Sequence, residues 1–116
     1  MRQPGAVRTT SDPRAEVVAL VGTFDEEDDG RIRDALAGDR PLVIDLRECD
    51  EVAASFVHIL REARGSRAAA ALVLVVRQDS APWRLLGAND ALLAYRIVMT
   101  LDSAFALLSR PLLDEG

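Results

Sequence analysis

The apolar positions of this chain alternate between two rhythms, and the alternation lays out its elements. Residues 15–21, Ala-Glu-Val-Val-Ala-Leu-Val, form a run rich in β-branched side chains closed by Gly22, which predicts a strand. An acidic stretch from Asp25 to Asp29 follows, then Ile32, Ala35 and Leu36 at helical spacing, then Gly38 and Pro41 as stop signals; this predicts a helix with Asp25 as its N-cap. Residues 41–46, Pro-Leu-Val-Ile-Asp-Leu, are almost continuously apolar, as in a central strand buried on both faces. Val52, Phe56, Leu60 and Ala63 then share one helical stripe, widened by Val57 and Ile59 and ended by Gly65.

The second half repeats the scheme. Residues 68–76 predict another buried strand, and Ser80 caps a short helix through Pro82, Trp83, Leu85 and Leu86 that Gly87 terminates. Residues 95–99 predict the last strand; Thr100 or Asp102 then caps a final helix carrying Leu101, Ala104, Phe105 and Leu108, stopped by Pro111. Met1 to Pro13 is rich in Pro, Gly, Thr and Ser and is expected to begin loose, with residues 6–10 able to form a short edge strand. Strands alternating with helices point to crossover units and a mostly parallel sheet, an α/β class. One domain over residues 14–110 is expected, with a C-terminal tail at 111–116 and no internal repeat.

Composition narrows the chemistry. At 116 residues the chain can bury roughly two-thirds of its unfolded surface around a single core. Apolar residues at 49% and charged residues at 28% are those of a globular protein. No apolar run approaches the roughly 18 residues needed to span a bilayer, and the N-terminus lacks a signal-peptide core, so a cytoplasmic location without membrane insertion is expected. The lone Cys49 forbids an internal disulfide and fits a reducing compartment. A net charge of −5 opposes non-specific binding to nucleic acid. All 14 basic residues are Arg, which removes any mechanism that needs a lysine amine, whether a Schiff base or a phosphate-cradling P-loop.

Candidate reactive residues find no partners in the sequence. Five consecutive acids from Asp25 to Asp29 cannot all face one metal ion, whereas negative charge in a first helical turn is favoured by the backbone dipole. His58 has no nucleophile at a useful spacing and reads as a surface histidine, able to give modest pH sensitivity beside a docking face. Cys49 lies in the acidic loop Glu48-Cys-Asp-Glu51, which raises a thiol pKa rather than lowering it. Trp83 reads as half-buried packing. Phe56 fits the buried stripe with Val52 and Leu60; were it exposed it would be a natural interface anchor. There is no Gly-rich phosphate loop, no Gly-x-Ser-x-Gly and no ligand-spaced cluster, so no catalytic residue, metal or cofactor is expected.

Three segments carry a family resemblance. They are Val18-Ala-Leu-Val-Gly-Thr-Phe-Asp25, the stretch from Leu42-Val-Ile-Asp-Leu46 through Leu60, and Trp83-Arg-Leu-Leu-Gly87 with the later Asp102-Ser-Ala-Phe-Ala-Leu-Leu108. In order and spacing they resemble the STAS family, whose best-known members are bacterial anti-sigma factor antagonists. The resemblance spans about Val17 to Leu108. It implies a STAS-like single α/β domain, with a four- or five-stranded, mostly parallel sheet and about four helices packed mainly on one face. It implies a non-enzymatic protein-interaction module that regulates transcription by binding an anti-sigma factor or its kinase, through Thr23, Asp25, Ala53, Ala54, Ser55, Phe56 and His58. In the family a kinase phosphorylates a Ser at the start of the second helix, and the added charge drives the partner off.

At that place the chain departs from the pattern. Matched without gaps, Ala53 stands at the family's Asp, Ala54 at the phosphoacceptor Ser, Ser55 at the second Ser and Phe56 at the Gly. Ala54 has no hydroxyl, and Phe56 is expected to put bulk where Gly admits a partner's backbone. A one-residue insertion would make Ser55 the phosphoacceptor, but Val52 and Leu60 favour the gapless match. Two other readings stay open: a STAS regulatory or scaffold subunit of a larger assembly, such as a stress-signalling complex or a lipid-transport ATPase, and a receiver-like phosphotransfer domain with Asp45 as acceptor. The receiver chemistry needs a Lys that the chain does not have. A homodimer also stays open.

Overall fold

A computed structural model describes residues 5–65, 67, 71–89 and 94–109. Strand β1 (Ala6–Asp12) turns through Pro13 and Arg14 into β2 (Ala15–Thr23), with which it pairs antiparallel along its whole length. A single 3-10 turn (Glu26–Asp28) leads into α1 (Asp29–Leu36), and β3 (Leu42–Asp45) follows. Beyond it come β4 (Cys49–Glu51), α2 (Phe56–Gly65), β5 (Leu72–Val75), α3 (Ala81–Ala88), β6 (Arg96–Val98) and α4 (Leu101–Ser109). The sheet runs β1-β2-β3-β5-β6, parallel except for β1, with β4 beside the end of β2.

Burial is continuous along the central strands β3 and β5 because both faces of the sheet are covered, successive side chains entering one core and then the other. Leu42, Ile44, Leu72, Leu74 and Val76 face the main core with Val18 and Leu20, where Ile32 and Leu36 of α1, Phe56, Ile59 and Leu60 of α2 and Leu86 of α3 meet them. Val43, Val73 and Val75 point the other way, onto Ala104 and the half-buried Leu101, Phe105 and Leu108 of α4. The sheet grows in one direction from β2 to β6, so crossovers of the usual single hand leave α1, α2 and α3 on the same face. Helix α4, which follows β6, covers the opposite face. The expected architecture is therefore the observed one, with three helices against one.

Two details differ from the sequence reading. A sixth short strand, β4, raises the strand count above the four or five expected. The polar segment Cys-Asp-Glu carries no strand signal of its own; it is held by β2, whose Gly22 N–H donates to the Glu48 carbonyl at 2.9 Å and whose neighbour Phe24 N–H donates to that of Glu51 at 2.9 Å. Gly87 does not terminate α3, which continues to Ala88 and is capped by Asn89, whose side-chain amide donates to the Leu85 carbonyl at 2.9 Å. Of the two candidate caps for α4 it is Thr100 whose hydroxyl oxygen accepts the Ser103 N–H, at 3.0 Å. Ser80 accepts the Trp83 N–H at 3.3 Å, as a cap of α3 should. The expected strand residues 68–70 and the stop at Pro111 lie outside the described residues.

Helices α1 and α2 lie side by side and are tied at their far ends by one side chain. The Arg67 guanidinium donates to the carbonyls of Leu36 (2.9 Å), Arg40 (2.7 Å) and Ala63 (2.8 Å), satisfying acceptors at the ends of both helices. Replacing Arg67 with Ala is expected to lower stability by about 1–3 kcal/mol, because partly buried carbonyls lose a charged donor. Urea denaturation at neutral pH measures it.

Candidate docking site at the start of the second helix

The site begins at a break in β2. Gly22 has φ 97°, in the left-handed region that a side chain disfavours, and the register against β4 shifts between Gly22 and Thr23. The bulge swings the chain off the sheet: Phe24 enters the core at 2% exposure and Asp25 emerges beside the segment that leads into α2. Thr23 pairs with Glu51, one residue before Val52. Residues far apart in sequence, Thr23 to Asp29 and Glu51 to Ser55, are thereby set along one edge of the molecule.

Each acid of the 25–29 run has its own task or faces solvent. Asp25 accepts the Glu27 N–H at 2.9 Å and Asp28 reaches back to the Asp25 N–H at 2.9 Å, a capping box around the 3-10 turn. The other oxygen of Asp28 pairs with Arg31, and Glu26 and Glu27 are exposed. Arg31 and the Asp25 N–H together hold the Asp28 carboxyl below the usual carboxylate range. Asp29, the first residue of α1, is half-buried and accepts the Ser55 hydroxyl at 2.9 Å. Among the described residues no group of three or more His, Cys, Asp or Glu side chains is placed to hold a metal ion.

The tip that leads into α2 is small and uncharged. Ala54 is exposed, while Val52, Ala53 and Ser55 are half-buried. Its turn is held by backbone bonds from Phe56 N–H to the Ala53 carbonyl (2.9 Å), Val57 N–H to that of Ala54 (3.1 Å) and His58 N–H to that of Ser55 (3.0 Å). Glu48, Asp50 and Glu51, which precede it in the chain, are exposed, as are Glu26 and Glu27 of the 3-10 turn. His58 is exposed on the first turn of α2, one turn before Glu62, which Arg33 of α1 bridges at 2.6 Å. Arg33, and to a smaller degree His58, hold the Glu62 carboxyl below its ordinary range.

Of the residues singled out from the sequence, the structure brings Thr23, Asp25, Ala53, Ala54 and Ser55 to this edge and leaves His58 on its flank. Phe56 is the correction. Its ring is 1% exposed in the main core, so it presents neither bulk nor an anchor to a partner, and its spacing with Val52 and Leu60 carried the right signal. Cys49 is also buried at 2% exposure; burial first and the Asp50 charge second push its thiol up to about 12, which removes it from nucleophilic chemistry. Asp29 was missed as a site residue: inside a five-acid run nothing local separates the carboxylate that crosses to Ser55 from those that cap the turn.

No family model matches the sequence, and no curated protein is significantly similar to it. The crystal structure of an anti-sigma factor antagonist from Mycobacterium paratuberculosis superposes on this chain with a TM-score of 0.79 at 17% identity, covering 92% of this chain and 96% of that one. The two proteins share one fold. At this identity the likeness establishes the STAS-type architecture and leaves function to the chemistry of the site.

Two outcomes follow from this geometry. Phe56→Ala is expected to lose about 3–5 kcal/mol of stability in urea denaturation, the loss of a buried aromatic, where a surface anchor would lose almost none. The Asp28 carboxyl is expected to titrate below exposed aspartates in a pH series followed by NMR. Because its folded-state pKa is lowered, the stability it contributes is complete above its unfolded pKa and disappears as pH falls through the folded one.

Proposed function

We propose that this chain is a protein-interaction module of the anti-sigma factor antagonist kind, which binds an anti-sigma factor or its kinase in the cytoplasm through the tip 52–55 and the adjoining Thr23 and Asp25. The observation that carries the reading is the exposed, uncharged tip at the start of α2, set on a fold shared over nearly its whole length with an anti-sigma factor antagonist. Small side chains there let a partner's backbone come close, and the exposed acids favour a partner with basic residues at the rim. The same surroundings argue against chemistry: the thiol is buried and the imidazole stands beside a salt bridge without a nucleophile.

Regulation in this reading differs from the phosphorylated relatives. Ala54 stands where the acceptor hydroxyl would be, so the docking state is constitutive and the chain serves as a fixed competitor or scaffold.

The test is direct. The purified chain is titrated calorimetrically with the anti-sigma factors encoded in the same genome, then incubated with each and ATP. One of them is expected to bind, less tightly as salt is raised. Ala54→Arg, a surface change with stability within about 0.5 kcal/mol of wild type, is expected to weaken binding at least tenfold. Absence of any binding partner, or indifference to Ala54→Arg, would overturn the proposal, and a stoichiometric gain of one phosphate on Ser55 would overturn the constitutive part of it.

A further inference from the structure

Among the described residues, a hydroxyl–carboxylate bond between Ser55 and Asp29 fastens the docking tip by a side chain to the neighbouring helix. It links residues 26 positions apart, the last before α2 and the first of α1. Ser55 closes the turn that carries Ala53 and Ala54, and its own carbonyl accepts the N–H groups of His58 (3.0 Å) and Ile59 (3.3 Å). A hydrogen bond to an ionised acceptor in a half-buried setting is roughly twice as strong as a neutral one. The nearby cations make their hydrogen bonds elsewhere, Arg31 with Asp28 and the Gly5 carbonyl and Arg33 with Glu62, while Arg33 also feels the Asp29 charge.

We propose that Ser55 and Asp29 are positioning residues that set the shape of the docking tip, and that Asp29 makes position 55 hostile to an anion. The proposal rests on reading the tip as the docking surface. Donation from Ser55 holds the 53–55 turn against α1. A carboxylate or phosphate at position 55 would face the Asp29 carboxylate at hydrogen-bond distance, and the turn would swing away from α1 to relieve the repulsion. Ser55 is thus a structural donor in this chain rather than a point of control by added charge.

The experiment needs no partner, so its failure is distinct from failure of the docking reading. Amide hydrogen exchange is followed at Phe56, Val57 and His58, whose N–H groups close the turn, with the amides of β5 as reference for global stability. Ser55→Ala is expected to speed exchange at the three amides about tenfold relative to β5, and Ser55→Thr, which keeps the hydroxyl, to leave it within about threefold of wild type. Ser55→Asp is expected to speed it further. Combining Ser55→Asp with Asp29→Ser, which exchanges donor and acceptor, is expected to restore protection, a rescue that loss of packing alone would not give. Equal exchange in the Ala and Thr variants, or a Ser55→Asp effect that Asp29→Ser leaves unchanged, would overturn the proposal.

Discussion

The pairing of β2 with β4 across the Gly22 bulge is the constraint on which the rest of the site is built. Two backbone bonds, from Gly22 to Glu48 and from Phe24 to Glu51, hold the end of one strand against a segment that would otherwise be an acidic loop. The left-handed φ of Gly22 lets the chain bend at that point without steric strain. Phe24 then drops into the core as Asp25 caps the following turn, so the start of α1 is delivered beside the start of α2. An Ala at position 22 would be strained in that left-handed conformation.

From there the two helices behave as a clamped pair. Ser55 and Asp29 fasten one end, Arg33 and Glu62 bridge the middle, and Arg67 gathers three carbonyls at the other end. Beneath these polar ties Ile32, Leu36, Ile59 and Leu60 share the main core. Hydrophobic burial makes the pair adhere; the directional bonds decide its register and hence the attitude of the tip. That division matters for the proposed docking role, since a partner would read positions of individual atoms rather than the mere presence of a helix.

The comparison with the mycobacterial antagonist separates what a fold conserves from what a site can change. Only 17% of aligned residues are identical, yet sheet, helices and their order superpose over 92% of this chain. Apolar side chains can be exchanged freely in a core if volume and periodicity are kept. A single surface position has no such freedom, since one side chain can alter the possible chemistry while leaving the architecture untouched.

The legible parts of this protein were those governed by local periodicity. The strand cores at 15–21 and 41–46, the stripe Val52–Phe56–Leu60–Ala63 and the caps at Asp25 and Ser80 follow from side-chain spacing and from nearby backbone groups, both written within a few residues of each other. The same periodicity placed Phe56 in the core, against the family alignment that would have set it before a partner. What tertiary structure alone decided were contacts between distant segments of similar local character. The strand at Cys49–Glu51 exists because β2 reaches it, and Asp29 differs from its four acidic neighbours only because folding brings Ser55 within 2.9 Å. Periodicity is a property of the chain and can be read along it; a hydrogen bond across 26 residues is a property of the packed layers and comes into being only with them.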